Sequence, residues 1–137
     1  MIHITSADDT QMNEVIEKAI KEKPQFLKYA DHTLMLSDVR SLESLLETYT
    51  FTADKFIEPD GSVTLFLNEL NLVENAKTED EAKKCLANSI LEYAEDFYNG
   101  FSYWDSAPNL QSHIPYVFKA LIINDAVRIG ESVQFNN

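Results

Sequence analysis

Hydrophobic positions in the first half of the chain recur with a helical period. Met12, Val15, Ile16, Ala19 and Ile20 stand at i, i+3, i+4, i+7 and i+8, which gathers them on one stripe of a helix. Thr10 is placed to cap that helix and Pro24 to end it. Ahead of it, Met1–Ile4 reads as a short extended piece with Ile2 and Ile4 on one face. Behind it, Phe26, Leu27, Tyr29, Leu34, Met35 and Leu36 surround a polar Asp31-His32 centre, the pattern of a strand pair over Gln25–Leu36. Ser37 offers a cap for a second helical stripe of Val39, Leu42, Leu45, Leu46 and Tyr49, ending near Thr50.

In the second half, Pro59-Asp60-Gly61 is a turn tripeptide, with glycine free to take a positive φ. Val63, Leu65 and Leu67 alternate with Thr64 and Phe66, which predicts a strand. Asn68-Glu69 breaks the alternation, and Leu70, Leu72 and Val73 continue it in a second register or after a bulge. Thr78 and Glu81 fit a capping box, in which the hydroxyl accepts from the backbone three residues on. The long helix after it carries Ala82, Leu86, Ile90, Tyr93, Ala94 and Phe97 on one face and ends at Asn99-Gly100. Phe101–Gln111 reads as an aromatic loop. A last helix is expected from about Ser112 to Asp125, with Pro115 in its first turn and Ile114, Val117, Leu121 and Ile122 inward. The tail after Gly130 is expected to fray. The order β-α-β-α, then β-(β)-α-α, gives an α+β fold class. Its halves, 1–52 and 53–137, join near Thr50–Asp60, as two units or one continuous domain.

Charge narrows the function. Eleven Lys and Arg against 23 Asp and Glu leave a net charge of −12 over 137 residues. Such a surface repels phosphate backbones and anionic membranes and attracts cations, so indiscriminate nucleic-acid binding is excluded. With 45% hydrophobic residues the chain has enough apolar material for a core. Cys85 is the only cysteine, which rules out an intramolecular disulfide and a thiolate metal cage. The start MIHITSADDT has neither the cationic nor the apolar part of a secretory signal, and the longest apolar run is Ala120–Ile123. The expectation is a cytoplasmic protein with no membrane association.

Reactive chemistry is sparse. His3, His32 and His113 fall in three different elements, without metal-ligand spacing, and read as surface or cap residues. Cys85 falls on the apolar side of the long helix, where an inert buried thiol is expected. Gly61, Gly100 and Gly130 are too scattered for a phosphate-binding loop, and no serine sits in a nucleophile elbow. Glu79, Asp80 and Glu81 cluster at a helix N-terminus, where the dipole already accounts for them. Glu92, Glu95 and Asp96 read as a solvated helix face. No catalytic residue, metal or cofactor is expected.

Two features point outward instead. Tyr93, Phe97, Tyr98, Phe101, Tyr103 and Trp104 fall within 12 residues and are flanked by acids. Tyr93 and Phe97 belong to the core stripe. Tyr98, Phe101, Tyr103 and Trp104 pass beyond it, either as a satellite core or as the rigid aromatic anchors that protein-binding surfaces favour. From Leu42 to Glu81, ten acids face only Lys55 and Lys77. That belt is either a solvated face or a surface that steers onto a basic protein.

The stretch QFLKYADHTLMLS (Gln25–Ser37) followed by DVRSLESLLETY (Asp38–Tyr49) resembles the Phd/YefM class of bacterial antitoxins. Leu36-Ser37 and, after six intervening residues, Ser44-Leu45-Leu46-Glu47-Thr48 resemble the Leu-Ser and Ser-Leu-Leu-Glu-Thr segments of a helix in that class. Asp60–Asn99, with APN (Ala107–Asn109) and HIPYV (His113–Val117), resembles the C-terminal region of a longer RelB-like branch. The resemblance covers nearly the whole chain. It implies a Phd-like β-α-β-α dimerisation half (1–52) and a toxin-binding strand-helix-helix half (53–137). It also implies that the protein neutralises a basic toxin, often a RelE-like ribonuclease, by steric and electrostatic occlusion.

On this reading Leu42, Leu45 and Leu46 supply homodimer contacts. Glu58, Asp60, Glu69, Glu74, Tyr98, Tyr103 and Trp104 supply toxin contacts. Antitoxins of the class also repress their own operon with N-terminal cations. Met1–Glu17 contains none, and the basic residues concentrate instead at Lys18, Lys21, Lys23 and Lys28. The alternatives are an immunity or adaptor protein shielding another basic partner, and a small enzyme using its carboxylates.

Overall fold

Val15 and Leu27, both buried, form the small core of the N-terminal part, with Met12 and Leu36 packed against them. The computed structural model describes residues 2–3, 9–104 and 106–136. The chain divides into two compact units, Met1–Leu45 and Leu46–Asn137. In the first, strand β1 (Ile2–His3) is followed by helix α1 (Asp9–Lys21) and the hairpin β2 (Gln25–Tyr29) and β3 (His32–Leu36). β1 pairs in parallel with β2, and β2 antiparallel with β3, giving the sheet order β1-β2-β3. Tyr29 pairs with His32 across a two-residue turn whose first residue, Ala30, holds φ 50. That left-handed backbone normally calls for glycine.

Two details depart from the sequence reading, at the starts of α1 and α2. Helix α1 begins at Asp9, so Thr10 lies inside its first turn rather than ahead of it. Ile4, expected on the first strand, lies outside the described residues. Helix α2 (Val39–Leu46) is capped by Asp38 rather than Ser37: the Asp38 carboxylate accepts from the Arg40 backbone N–H at 3.0 Å. The Arg40 guanidinium, donating at 2.7 Å, holds the Asp38 pKa down at about 2. α2 stops three residues short of Tyr49.

The second unit is a four-stranded sheet of order β6-β5-β4-β7. Its strands are β4 (Thr52–Ile57), β5 (Val63–Leu67), β6 (Leu72–Ala76) and β7 (Gln134–Phe135). Val63, Leu65 and Leu67 alternate inward onto helix α3 (Glu79–Asn99), which contributes Ala82, Leu86, Ala87, Ile90, Ala94 and Phe97 to the same core. Thr78 caps α3 as its pattern requires, accepting from the Glu81 N–H at 3.2 Å. The short helix α4 (Phe101–Trp104), a 3₁₀ turn at Gln111–His113, α5 (Ile114–Ile123) and α6 (Ala126–Ser132) follow. Pro115 stands in the first turn of α5, where its missing N–H costs nothing.

The expected connection at Thr50–Asp60 is instead mostly strand β4. Phe51 and Ala53 are fully buried there, and the register Ala53–Leu67 to Ile57–Val63 seats β4 beside β5. A division at 52/53 falls at the start of this strand. The tail does not fray: Ile129 and Val133 are core residues, and β7 pairs in parallel with β4. The break at Asn68-Glu69 is a tight turn, with Asn71 at φ 56, which reverses the chain into β6. Cys85 is exposed, not buried, because it stands off the stripe that α3 turns to the sheet.

Candidate interaction surfaces

The unit Met1–Leu45 leaves much of its apolar material uncovered. Ile16 and Ile20 continue the α1 stripe beyond Val15 and Ala19 and are exposed, as are Phe26, Leu34 and Met35 on both faces of the hairpin. Helix α2 buries none of its residues. Leu45 is 69% exposed, while Leu42 and Leu46 are half-buried. A helix with Val39, Leu42, Leu45 and Leu46 on one stripe and no buried residue is an amphipathic element whose apolar face meets no core. The lysines expected to group here do so on α1 and just after it. Lys18, Lys21 and Lys23 are exposed, and Lys21 sits 4.0 Å from Glu17.

The seven residues expected to contact a toxin fall into three sets in the second unit. Glu58 and Asp60 sit at the β4–β5 turn, where the Ser62 hydroxyl (2.6 Å) and backbone N–H (2.9 Å) hydrogen-bond Asp60 and lower its pKa. Glu69 is taken up by the fold. Its carboxylate accepts from the Thr52 backbone N–H at 2.6 Å and from the Thr52 hydroxyl, tying the β5–β6 turn to the start of β4. Glu74 accepts from the Ser89 hydroxyl and so links β6 to α3. Both are half-buried and spend their acceptors internally.

Tyr98, Tyr103 and Trp104 lie at the far end of α3. The β4–β5 turn is next to the start of that helix, since Val63 pairs with Ala76 three residues before it. Tyr98 is 19 residues further along, about 28 Å of helix rise. The acidic turn and the aromatic end are therefore separate surfaces.

At the aromatic end the sequence reading left core and interface open, and the rings divide between them. Phe101 is half-buried between Phe97 (6.1 Å between centroids) and Phe118 (5.8 Å), extending the core. Tyr103, 72% exposed, meets Trp104 edge-on at 4.9 Å, and Tyr98 is 60% exposed. Gly100 permits this arrangement: a Cβ there would stand 2.8 Å from the Trp104 Nε1. Tyr103 and Trp104 stand on a short helix rather than a loop. No Lys or Arg occurs between Lys84 and Lys119. Lys119 is itself engaged, donating to the Tyr49 carbonyl at 2.5 Å beside the Phe51 ring, and burial lowers its pKa.

His113, expected at the surface or in a cap, is buried at 5% exposure. Its Nδ1 lies 2.6 Å from the Tyr93 hydroxyl, which donates to it in the tautomer that leaves Nδ1 unprotonated. Burial pushes the His113 pKa down and the Tyr93 pKa up, so both groups favour their neutral forms. The pair ties the 3₁₀ turn to the middle of α3. His32 is exposed at the tip of the N-terminal hairpin. Among the described residues no group of three or more His, Cys, Asp or Glu is arranged to hold a metal, and no helix is long and apolar enough to cross a membrane.

The model of a PHD-like family, described as the antitoxin of RelE/RelB toxin–antitoxin systems, matches residues 1–135. A crystal structure from Syntrophomonas wolfei subsp. wolfei, of an antitoxin part of a candidate toxin/antitoxin system, is similar in fold. At 24% identity it aligns over 99% of this chain and 99% of its own, with a TM-score of 0.85. No curated protein matches the chain.

Proposed function

Because the chain belongs to the PHD-like antitoxin family of RelE/RelB toxin–antitoxin systems, we propose that it neutralises a basic, RelE-like ribonuclease by covering the cationic surface that would hold RNA. No turnover is involved. A protein that binds a polyanion must itself carry cations, and an acidic partner with buried aromatic anchors competes for them. The observation that carries this reading is the aromatic end of α3 and α4. There Tyr98, Tyr103 and Trp104 are exposed and follow Glu92, Glu95 and Asp96 in a stretch without a single Lys or Arg. Exposed Tyr and Trp are the residue types that most often dominate binding energy. Glu58 and Asp60 add long-range steering. Glu69 and Glu74, held in internal hydrogen bonds, hold the scaffold and contribute only their field.

The N-terminal unit acts as the homodimerisation element, and the apolar stripe of α2, with Leu45 exposed and Leu42 and Leu46 half-buried, supports this. Operon autorepression is a second reading. Lys18, Lys21 and Lys23, exposed along the end of α1, favour it, since a dimer doubles their number against a phosphate backbone.

Growth rescue provides the test. Co-expression with the toxin encoded beside this protein should restore growth, and the two chains should co-purify. Replacing Tyr103 and Trp104 by alanine should weaken the complex by roughly 30-fold or more, the range of a binding hot spot. Growth arrest unrelieved by the intact protein would remove the proposal.

A further inference from the structure

The sheet of the second unit has two faces, and only one is used by its own helices. Alternation along the strands puts Ala53, Val63, Leu65 and Leu67 on the core face and Phe56, Phe66 and Val73 on the other. The register brings these three together: Phe66 lies directly opposite Val73 on β6, and two pairs along, on the same face, from Phe56 on β4. They form a diagonal apolar band across three adjacent strands. Phe56 is 53% and Val73 56% exposed, although a sheet face turned to water ordinarily carries polar side chains.

The border of the band is polar on one side and anionic on the other. Asn75 donates to the Thr64 hydroxyl (2.9 Å) and the Ser62 hydroxyl (3.0 Å), a cross-strand bridge beside the band. Asp54 is opposite Phe66 on this face and is oriented by the Asn136 amide at 2.7 Å. Glu58 and Asp60 follow at the turn. None of the outward strand positions carries a cation. Lys55 points to the other face, where it pairs with Glu79 at 3.3 Å, and Lys77 lies past the end of β6.

We propose that this outer sheet face, centred on Phe56, Phe66 and Val73 and edged by Asp54, Glu58 and Asp60, is a second docking surface for the toxin. The element it receives is one whose apolar ridge is flanked by Lys or Arg. The proposal rests on the antitoxin reading and extends it, because it gives the carboxylates of the β4–β5 turn the apolar anchors that the aromatic end, about 28 Å of helix away, does not provide. Charge selects the occupant. Two copies of this face stacked on each other would set carboxylates against carboxylates with no cation between them, whereas a basic partner neutralises the same groups.

The test is calorimetric titration of the toxin encoded beside this protein into the full chain and into three variants. Phe56→Lys and Val73→Lys should each raise the Kd at least tenfold, with melting temperature and self-association unchanged. Val73→Lys stands on an exposed edge strand, where lysine is well accommodated, so it keeps the test readable if Phe56→Lys does not fold. The third variant, Tyr103→Ala with Trp104→Ala, reports on the other surface. If both lysine variants bind as tightly as the parent, the outer face is not a toxin surface and the inference falls, whatever the double alanine variant does. If they lose self-association instead, a second copy covers the face and the inference also falls. Absence of binding by the parent chain would strike at the antitoxin reading itself, a separate failure.

Discussion

The two units of this chain bury their hydrophobic residues very differently. In Leu46–Asn137 one continuous core runs from Phe51 through Leu65, Leu67, Leu86, Ile90 and Val117 to Ile129, all but completely shielded. Met1–Leu45 has a core of Val15 and Leu27, with Met12 and Leu36 beside it, while Ile16, Ile20, Phe26, Leu34, Met35, Val39 and Leu45 are exposed. The two units do not differ in the kind of residue they contain. They differ in whether the apolar stripe finds a partner within the same unit. The second unit thus carries a large core of its own, while most of the described apolar residues of the first meet no core within it, which is what the proposed homodimer would cover.

That contrast can be broken most sharply by separating the parts. Residues 46–137 expressed alone should melt cooperatively, whereas residues 1–45 alone should show no cooperative transition by circular dichroism, since so short a segment with so small a core does not offset its chain entropy. Within the full chain, Ile90→Ala should destabilise the second unit by about 2–5 kcal/mol in denaturant melts, the range for emptying a packed core site. Leu45→Ala should change the same melt by no more than about 0.5 kcal/mol, as expected for an exposed side chain. If α2 forms the proposed dimer contact, Leu45→Asp should nonetheless shift the monomer–dimer equilibrium in sedimentation by about 1–3 kcal/mol toward monomer, since it sets a charge into that contact. An unchanged sedimentation profile would remove α2 from the interface.

Smaller effects sharpen the account of the second unit. Gly100→Ala should displace Trp104, because the new Cβ would approach its indole to 2.8 Å. With a single tryptophan in the chain, its fluorescence should shift to the red while stability falls by about 1 kcal/mol. The buried His113 gives the smallest signal. Its folded-state pKa is depressed, so the unfolded chain binds the extra proton, and stability is full above the unfolded value of about 6.5 and declines as pH falls through it. Melting temperature should therefore drop between pH 7.5 and 5.5, and His113→Gln should flatten that slope.

Much of the architecture was legible in the sequence where periodicity and capping agreed. α1, the β2–β3 hairpin, β5, α3 with its Thr78 cap, and α5 with Pro115 all follow from local pattern. What escaped was set by tertiary context. Strand β4 reads TADKFI, with a small buried Ala53 and a Lys55 on the core-facing side, so alternation is weak, and only pairing with β5 makes it a strand. β7 is two residues long and exists through its parallel pairing with β4, which no local signal announces. For the candidate site, sequence separated useful aromatics from core ones only in part. Tyr98, Tyr103 and Trp104 are exposed as an interface would need, but Phe101 belongs to the ring ladder. Glu69 and Glu74 looked like members of an acidic belt until their hydroxyl partners, Thr52 and Ser89, were seen. Phe56, Phe66 and Val73 were visible as an outward set only once the register of three strands was known.

The central claim is that an acidic chain masks a basic toxin, and titrating that toxin into the intact protein at low and high salt tests it most directly. A stoichiometric complex whose association slows steeply as ionic strength rises, in step with loss of ribonuclease activity, is the expected result. A toxin that keeps cutting RNA in the presence of excess protein, or a complex indifferent to salt, would contradict it.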